Sequence, residues 1–402
     1  MKKVLLFIIL MLSFINVKAL PLPVEVTADS ALLFNINEDT IIYEKNASKQ
    51  QILASLTKIM TVHVAIQNID DIKQKVVITN NDIKDLVGFT CVGLLPGNRV
   101  TYEDLLYGTI LYSGADTSQA LAYHIAGSPE RFVNMMNEEA KRLSLRNTHF
   151  ADTYGGSDDN VSTAIELNKL LKEALKNETF KKIFTTTQYK FTNNINVVNY
   201  TRSLATFHGL DDTLITGNKS GYTPEAGLLL ASTSTINDTD YIVIVMKSNI
   251  NYYLSSHVLD TYRILDYIKD KKFERRVLLK KGKLLQTVKV YNSTIDEYQI
   301  YLTNDINIVL DSNDFDKLNI EYHIVDEIKP GTKAGDSIGF IDIILNGEII
   351  KTENIKLEDK IYELKTDEYK HKLLIPLISL IVSFISILLI ITRTIIKYLK
   401  KK

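Results

Sequence analysis

Ser55 and Lys58 lie three residues apart at the beginning of an apolar stretch, and together they could support nucleophilic catalysis. If a helix begins here, the two side chains share one of its faces. A serine hydroxyl is a poor nucleophile unless a base removes its proton, and a buried lysine, whose pKa is lowered by desolvation, can do so. The Ser-x-x-Lys pattern is weak by itself, because a capping serine followed by a surface lysine has the same letters.

A second segment pairs a cation with a hydroxyl in the run Lys219-Ser220-Gly221-Tyr222-Thr223. At the edge of a strand, Lys219 and Ser220 would suit the carboxylate of a substrate. Gly221 would let the backbone approach a ligand closely. Taken alone, the run is more typical of a turn or a solvated loop.

The third segment is Tyr112-Ser113-Gly114-Ala115-Asp116, which follows a predicted helix. Its Ser-Gly pair indicates a sharp turn that presents the hydroxyl of Ser113. This pattern is also common in ordinary turns, so the three segments gain meaning only if the fold brings them together.

The elements around these segments predict an α+β domain over 20–272, with one antiparallel sheet flanked by helices. A strand-like run at 24–27 and a hairpin at 31–43 precede a helix from Ser55 to about Asn68, which is apolar nearly all round and should be buried. The further predicted elements are helices at 101–113, 116–127, 129–144 and 163–176, strands at 226–234 and 241–248, and a helix at 253–270.

Residues 275–364 show a different pattern, which predicts a small all-β domain. Its short apolar or alternating runs lie at 277–279, 287–291, 298–302, 306–310, 320–324 and 338–343. A polar linker is predicted at 365–372.

The two ends of the chain predict export and anchoring to a membrane. Residues 1–19 combine early lysines, an apolar run and a small-x-small ending at Ala19, which is typical of a cleaved signal peptide; an uncleaved anchor is the alternative. Residues 373–392 carry no charge and would span about 30 Å as a transmembrane helix. The basic tail at 393–402 places the C-terminus in the cytoplasm, so we expect a single-pass bacterial membrane protein with its body on the extracytoplasmic face.

Composition argues against several classes of function. The 402 residues have a formal net charge of −1, but the segment 20–369 holds all 48 acidic residues and only 37 of the 47 basic ones. Such an acidic body argues against a nucleic-acid partner, since phosphate binding needs a basic face. Cys91 is the one cysteine, so neither an intramolecular disulfide nor a cysteine metal cluster can form. No metal is expected at the histidines His63, His124, His149 and His208, which lack the spacing of metal ligands.

In this order and spacing, the three segments resemble the penicillin-binding protein and β-lactamase superfamily, and within it the low-molecular-weight D-alanyl-D-alanine carboxypeptidases. The further stretches that are similar to those enzymes are 53–61, 103–108, 147–150 and 222–227. The resemblance covers 24–272, and the β domain is similar in position to the accessory domain of that family. It implies a fold of the β-lactamase/transpeptidase type.

The resemblance implies an acyl-enzyme reaction on peptidoglycan stem peptides, with β-lactams as inhibitors and no metal or organic cofactor. Ser55 would attack the carbonyl between the two terminal D-alanines. Lys58 would accept the proton of Ser55, and Ser113 would relay a proton to the departing D-alanine. Water would then hydrolyse the acyl-enzyme.

The same resemblance assigns substrate binding to the second segment. Lys219 and Ser220 would hold the terminal carboxylate, with Gly221 and Tyr222 beside them. The backbone N–H groups of Ser55 and Tyr222 would form the oxyanion hole.

The chain departs from the family pattern at three places. Ala115 stands where the Ser-x-Asn motif ends in asparagine, so slower acylation is expected unless Asp116 or Gln119 supplies the missing contact. Ser220 replaces a threonine and keeps its hydroxyl. Residues 150–156 depart from an Asn-x-x-Gly-Leu-like run, which leaves the geometry of that loop open.

Three other functions remain possible at this point. A serine β-lactamase would need a deacylating glutamate four residues before Asn168, but Ala164 stands there and Glu166 is misplaced. A transpeptidase would use the same chemistry with an amine in place of water. A catalytically degenerate wall-binding protein is favoured only by Ala115.

Overall fold

The computed structural model of the protein describes residues 20–250, 255–291, 293–329, 331–362 and 366–399. The expected signal peptide at 1–19 lies outside these residues. Within them the chain divides into two compact units. The first contains residues 20–275 and 309–313, and the second contains residues 276–308 and those from 314 onward.

The first unit mixes helices and strands. Its strands are β1 (Leu20–Pro21), β2 (Ser30–Asn35), β3 (Thr40–Lys45), β4 (Gln51–Ile52), β5 (Lys75–Val77), β6 (Arg99–Thr101), β7 (Val161–Ser162), β8 (Gln188–Lys190), β9 (Asn196–Val198), β10 (Gly217–Thr223), β11 (Gly227–Ile236) and β12 (Thr239–Ser248). Its helices are α1 (Thr57–Gln67), α2 (Asn80–Ile83), α3 (Tyr102–Leu111), α4 (Ala115–Ala126), α5 (Pro129–Arg142), α6 (Ala164–Ala174), α7 (Glu178–Thr185), α8 (Thr201–Phe207) and α9 (Ser256–Ile268).

Six strands form the main sheet of this unit, in the order β1-β3-β2-β12-β11-β10. All neighbours are antiparallel except β1 and β3. Asn237 and Asp238, with φ of +50° and +59°, join β11 to β12 in the geometry of a two-residue hairpin turn. β10 lies at the edge of the sheet, and its register places Lys219 opposite Ala231.

The sheet is buried on both faces, because alternate residues of its strands enter different hydrophobic clusters. Leu32 and Ile244 belong to the larger cluster, which includes residues of α1 and α3 to α7. Leu33 and Val243 belong to a second cluster, which α9 closes on the opposite face. This arrangement of one mainly antiparallel sheet between helices confirms the predicted α+β class.

Helix α1 lies in the larger cluster, and every residue from Thr57 to Ala65 is buried. Its all-round apolar sequence predicts this position. The expected helix start at Ser55 is a 3₁₀ turn, Ala54–Leu56, which leads into α1. The candidate nucleophile is therefore fixed to a helix that burial holds firmly in place.

The segment 24–27, predicted as a strand, is irregular in the structure. The carboxylate of Asp260 on α9 instead accepts hydrogen bonds from the backbone N–H groups of Thr27 and Ala28, each at 2.9 Å. The side chains of Thr27 and Ser248 also donate to Asp260, at 2.7 and 2.8 Å. A buried carboxylate that is remote in sequence thus satisfies the backbone N–H of Thr27, which the strand prediction assigned to a sheet.

The strands of the β domain are β13 (Phe273–Leu279), β14 (Leu284–Val290), β15 (Glu297–Tyr301), β16 (Ile306–Asp311), β17 (Leu318–Ile324), β18 (Glu327–Ile328), β19 (Ser337–Leu345) and β20 (Glu348–Lys356). In the second unit, β14 pairs with β15 and β18, and β19 pairs with β17 and β20. Asn346 and Gly347, with φ of +53° and +87°, make the turn between β19 and β20. The prediction of an all-β domain is confirmed.

The C-terminal helix α10 (Thr366–Leu399) contains a stretch, Leu374–Lys397, that is apolar and long enough to cross a membrane. The large apolar side chains of this stretch are exposed. The helix begins at Thr366, so most of the segment expected as a polar linker, 365–372, is helical. A continuous helix satisfies its backbone hydrogen bonds internally, which is what a membrane interior requires.

Candidate active site

Ser55 lies in the 3₁₀ turn before α1, and this turn has an uncommon backbone. Ala54 has a φ of +43°, in the left-handed region that residues with a side chain rarely adopt. A Cβ on Gly221 of β10 would lie 3.2 Å from the Ser55 nitrogen, which is tighter than most Cβ contacts, so a glycine favours this close packing of the edge strand against the turn. The close approach holds Ser55 beside the strand that carries Lys219.

Lys58 is buried, and its Nζ lies 3.0 Å from Ser55 Oγ and 2.5 Å from the carbonyl oxygen of Tyr154. Burial lowers the pKa of Lys58 to about 7, while the nearby carboxylate of Asp152 acts in the opposite direction. A large fraction of Lys58 is therefore an uncharged amine at neutral pH. Such an amine can accept the proton of Ser55.

Ser113 lies in the turn between α3 and α4, with a φ of +65°. The turn is held by the N–H of Gly114, which donates to the carbonyl of Gly108 at 3.0 Å, and by Ser118 Oγ, which donates to the carbonyl of Gly114 at 2.7 Å. Ser113 Oγ accepts a hydrogen bond of 3.0 Å from Lys219 Nζ. The turn predicted from the Ser-Gly pair thus presents its hydroxyl to the second lysine.

Lys219 is also buried, and its Nζ donates to the carbonyl of Ser220 at 2.7 Å. Burial lowers the pKa of Lys219 well below its usual value, and the charge of Lys58 lowers it further. The two amines are therefore close enough to repel each other when both are protonated. An anionic ligand between them would relieve this repulsion and stabilise the charged forms.

The remaining predicted residues lie on β10 beside Lys219. Ser220 is half-buried, Gly221 packs against the Ser55 turn, and the side chain of Tyr222 is exposed. Hydrogen bonds link Ser55 with Lys58 and Ser113 with Lys219, and β10 joins the two pairs. All seven predicted residues therefore lie in one region of the first unit, although they come from three distant parts of the sequence.

Neither residue expected to compensate for Ala115 is available to do so. The carboxylate of Asp116 accepts the backbone N–H groups of residues 92–94, at 2.9 to 3.1 Å, and thereby shapes the loop beside the turn. Gln119 donates to backbone carbonyls at 81 and 84. The expectation that Asp116 or Gln119 replaces the missing amide is therefore wrong. The half-buried thiol of Cys91 lies in this loop, close enough to Lys58 to affect its pKa.

The loop 152–160 contributes to the site in a way that sequence reasoning missed. Its Tyr154 carbonyl binds Lys58, and Gly155, with a φ of +83°, packs directly against the backbone of Ala54. The sequence signal was the Gly155-Gly156 pair, which marks a place where the backbone needs positive φ or close packing.

Glu166 is engaged away from the Ser55–Lys58 pair. Its carboxylate accepts the backbone N–H of Asn147 at 2.9 Å and the hydroxyl of Thr148 at 2.6 Å, so it fixes the loop before β7. The structure therefore gives no support to Glu166 as a deacylating base. Within the described residues, no cluster of three potential ligands could hold a metal ion.

Gly155→Ala is expected to lower the rate of acylation by a fluorescent penicillin at least tenfold. A Cβ at this position would overlap the carbonyl of Ala54 and push the Ser55 turn away from Lys58. Gly97→Ala is a matched control, because its φ of +88° is similar and a Cβ there would meet no described atom within 4 Å. Equal acylation rates for the two variants would show that the close packing of Gly155 is unimportant.

Comparisons with known proteins identify two families that match the chain. The family described as D-alanyl-D-alanine carboxypeptidase matches residues 16–249, and the family described as penicillin-binding protein 5, C-terminal domain, matches residues 273–364. Among solved structures, penicillin-binding protein 5 from Haemophilus influenzae has a TM-score of 0.60 and 23% identity, over 85% of this chain and 99% of that one. At that identity it supports the fold alone.

Relatives with higher identity are also found. The D-alanyl-D-alanine carboxypeptidase DacF of Bacillus subtilis is 28% identical over 80% of this chain and 83% of the relative. The D-alanyl-D-alanine carboxypeptidase DacC of Escherichia coli is 28% identical over 84% of this chain and 85% of the relative. The structure of the Streptomyces K15 DD-transpeptidase has a TM-score of 0.55 and 28% identity, over 61% of this chain and 97% of that one. With one family matching more than half of its length, this chain belongs to the D-alanyl-D-alanine carboxypeptidase family.

Proposed function

We propose that this protein is a serine-type D-alanyl-D-alanine carboxypeptidase, which removes the terminal D-alanine from peptidoglycan stem pentapeptides through an acyl-enzyme on Ser55. The observation that carries the proposal is the buried Lys58 amine, 3.0 Å from Ser55 Oγ and beside the hydrogen-bonded Lys219–Ser113 pair. The family of the chain and the names of its relatives support the same reaction.

Acylation begins when uncharged Lys58 takes the proton of Ser55 and Ser55 Oγ attacks the penultimate D-alanine carbonyl. A tetrahedral oxyanion forms, and the backbone N–H groups of Ser55 and Tyr222 stabilise it. Donors of this kind contribute about 3–4 kcal/mol in comparable acyl enzymes. The close packing of Gly221 against the Ser55 turn keeps these two backbone segments side by side.

Collapse of the intermediate breaks the bond between carbonyl carbon and nitrogen and releases D-alanine. Ser113 Oγ gives its proton to the departing nitrogen, and the proton that Lys58 took from Ser55 replaces it, so that Lys58 is uncharged again. Lys219 Nζ, 3.0 Å away, holds the Ser113 hydroxyl in place. Water then attacks the ester carbonyl, Lys58 accepts the proton of that water, and Ser55 is restored. The side chains of Ser55, Lys58 and Ser113 thus carry out every proton transfer of the proposed reaction.

The preference for a free C-terminus follows from the electrostatics of Lys219. Its pKa is lowered by burial, so the empty site carries less positive charge than two ordinary lysines would. A substrate carboxylate that enters the site favours the protonated lysine, and the Ser220 hydroxyl adds a second donor. Binding of the carboxylate and protonation of Lys219 are therefore coupled.

The same site accounts for reaction with β-lactams. A β-lactam carries a strained amide and a carboxylate, and Ser55 would open the ring while Lys219 and Ser220 hold the carboxylate. Transpeptidation differs only in the acceptor of the acyl group, which is an amine in place of water. Because the Streptomyces K15 DD-transpeptidase is among the similar structures, transpeptidation is a second activity that should be measured. A degenerate wall-binding protein is disfavoured, because it would not need to bury two lysines against two serines.

Ser55→Ala is expected to abolish both covalent labelling by a fluorescent penicillin and release of D-alanine from a pentapeptide. Both need the hydroxyl that lies 3.0 Å from Lys58. Mass spectrometry of the peptide would show loss of one alanine with the wild type and none with the variant. Ser203→Ala, which changes an exposed serine of α8, is the control and should behave like the wild type. Labelling that persists in Ser55→Ala would place the nucleophile elsewhere.

We also propose that α10 anchors the protein in a bacterial membrane, with the catalytic domain on the extracytoplasmic face. The support is the exposed apolar stretch Leu374–Lys397 and the basic residues that follow it. An exposed apolar surface of this size would promote aggregation in water if no membrane covered it.

A chain shortened to end at Tyr362 is expected to be released as a soluble, penicillin-binding protein. The cut leaves the end of the β domain intact, including the bond from Ser293 Oγ to the carbonyl of Tyr362 at 2.8 Å. Separating cells into soluble and membrane fractions would show where the shortened protein is located. Labelling each fraction with penicillin would show that the protein is folded. If the shortened protein stayed with membranes after a salt wash while retaining its labelling, α10 would not be the anchor.

A further inference from the structure

The loop 152–160 is built around a single carboxylate, that of Asp152. Its Oδ1 accepts the backbone N–H groups of Tyr154 and Gly155, at 2.9 and 2.5 Å. Its Oδ2 accepts three donors, which are the N–H groups of Gly156 and Ser157, at 3.0 and 2.6 Å, and the side-chain amide of Asn160, at 3.0 Å. Five hydrogen bonds to one side chain leave the loop little freedom.

Besides the packing of Gly155 on Ala54, this loop accepts three hydrogen bonds from α1 and the turn before it. The carbonyl of Tyr154 accepts from Lys58 Nζ, and the carbonyl of Thr153 accepts from Thr61 Oγ1 at 2.6 Å. At the other end of the loop, the Asn160 carbonyl accepts from the N–H of Leu53 at 2.8 Å. Any change in the fold of the loop would therefore move the partner that aims the Lys58 amine at Ser55.

Asp152 also supplies negative charge close to Lys58. Among the groups near this amine, Asp152 favours the protonated form most, followed by Cys91 and Asp116. Burial raises the pKa of the Cys91 thiol, so it is uncharged at neutral pH, and Asp116 is occupied by the backbone of 92–94. Lys219 has the opposite effect and disfavours the protonated form of Lys58, since the charges of the two lysines repel each other.

We propose that Asp152 is a positioning residue for the general base. Its carboxylate folds the loop so that the Tyr154 carbonyl directs Lys58 toward Ser55, and its charge stabilises the ammonium that Lys58 becomes when it takes the serine proton. The inference rests on the proposed role of Lys58 in acylation. It adds to that role by identifying Asp152 as the group that lowers the free energy needed to protonate the buried Lys58 amine.

The proposal explains why a carboxylate stands at this position. An asparagine could offer one oxygen to Tyr154 and Gly155, but its amide group would then face three donors. The donors left without an acceptor and the loss of the carboxylate charge would both destabilise the fold of the loop. The Gly156 that follows adds no side chain, and its N–H is one of those donors.

The test is the pH dependence of acylation by a fluorescent penicillin, measured on the full chain with Asp152→Asn. We expect the rate on the plateau to fall at least tenfold, since three hydrogen bonds to the carboxylate are lost. We also expect the midpoint of the acidic limb to move to lower pH, because the protonated form of Lys58 loses a stabilising charge. Asp158→Asn, an exposed carboxylate of the same loop, is the matched control and should change neither quantity.

Asp152→Glu separates geometry from charge. It keeps the carboxylate but displaces it by one methylene, so the plateau rate should fall while the midpoint stays near that of the wild type. A wild-type rate for this variant would overturn the positioning role, including in the case where Asp152→Asn does not fold. For a folded Asp152→Asn, a midpoint that is unchanged or higher would overturn the electrostatic role.

These failures are distinguishable from failure of the proposed function. If the proposed function is wrong, either the wild type itself will not release D-alanine or Ser55→Ala will retain labelling. If only the present inference is wrong, the wild type will react as proposed and the Asp152 variants will show the contrary results given above. Melting curves of the variants would establish which of them are folded.

Discussion

The burial of two lysine amines, those of Lys58 and Lys219, in one region of the first unit is the constraint on which the proposed active site depends. An ammonium ion loses several kcal/mol of hydration when it is buried, so the protein must either neutralise it or surround it with acceptors. Lys58 has the Ser55 hydroxyl and the Tyr154 carbonyl, and Lys219 has the Ser113 hydroxyl and the Ser220 carbonyl. Each amine is thus paired with a serine, and burial lowers the pKa of each lysine, that of Lys58 to about 7.

The fold supports this arrangement by close packing from two directions. β10, at the edge of the sheet, brings Gly221 against the Ser55 turn, and the loop 152–160 brings Gly155 against the same turn from another segment. A Cβ on Gly155 would overlap the Ala54 carbonyl, and a Cβ on Gly221 would make a tight contact with the Ser55 nitrogen. The buried helix α1 then fixes Lys58 relative to Ser55. Two glycines therefore allow the turn that carries Ser55, the proposed nucleophile, to pack closely against β10 and the loop 152–160.

Much of this structure could be predicted from the sequence where local patterns are strong. The apolar helix after Ser55, the strands β11 and β12 and the apolar C-terminal helix each follow from composition and period. The contacts that were missed are long-range bonds of polar side chains, which periodicity cannot reveal. Asp260 takes up a backbone donor of a predicted strand, Asp116 binds a loop instead of the cleft, and Asp152 folds the loop that meets Lys58.

The most direct test of the account is an NMR titration of Lys58 in protein labelled with ¹³C at lysine Cε, with Lys58→Met used to assign the signal. The account predicts a midpoint of about 7, because burial lowers the pKa of this amine from its ordinary value of 10.5. The uncharged base would then be abundant at neutral pH and ready to accept the proton of Ser55. A Lys58 signal that titrates near 10.5 would mean that the amine stays charged at neutral pH, and would contradict its role as the base.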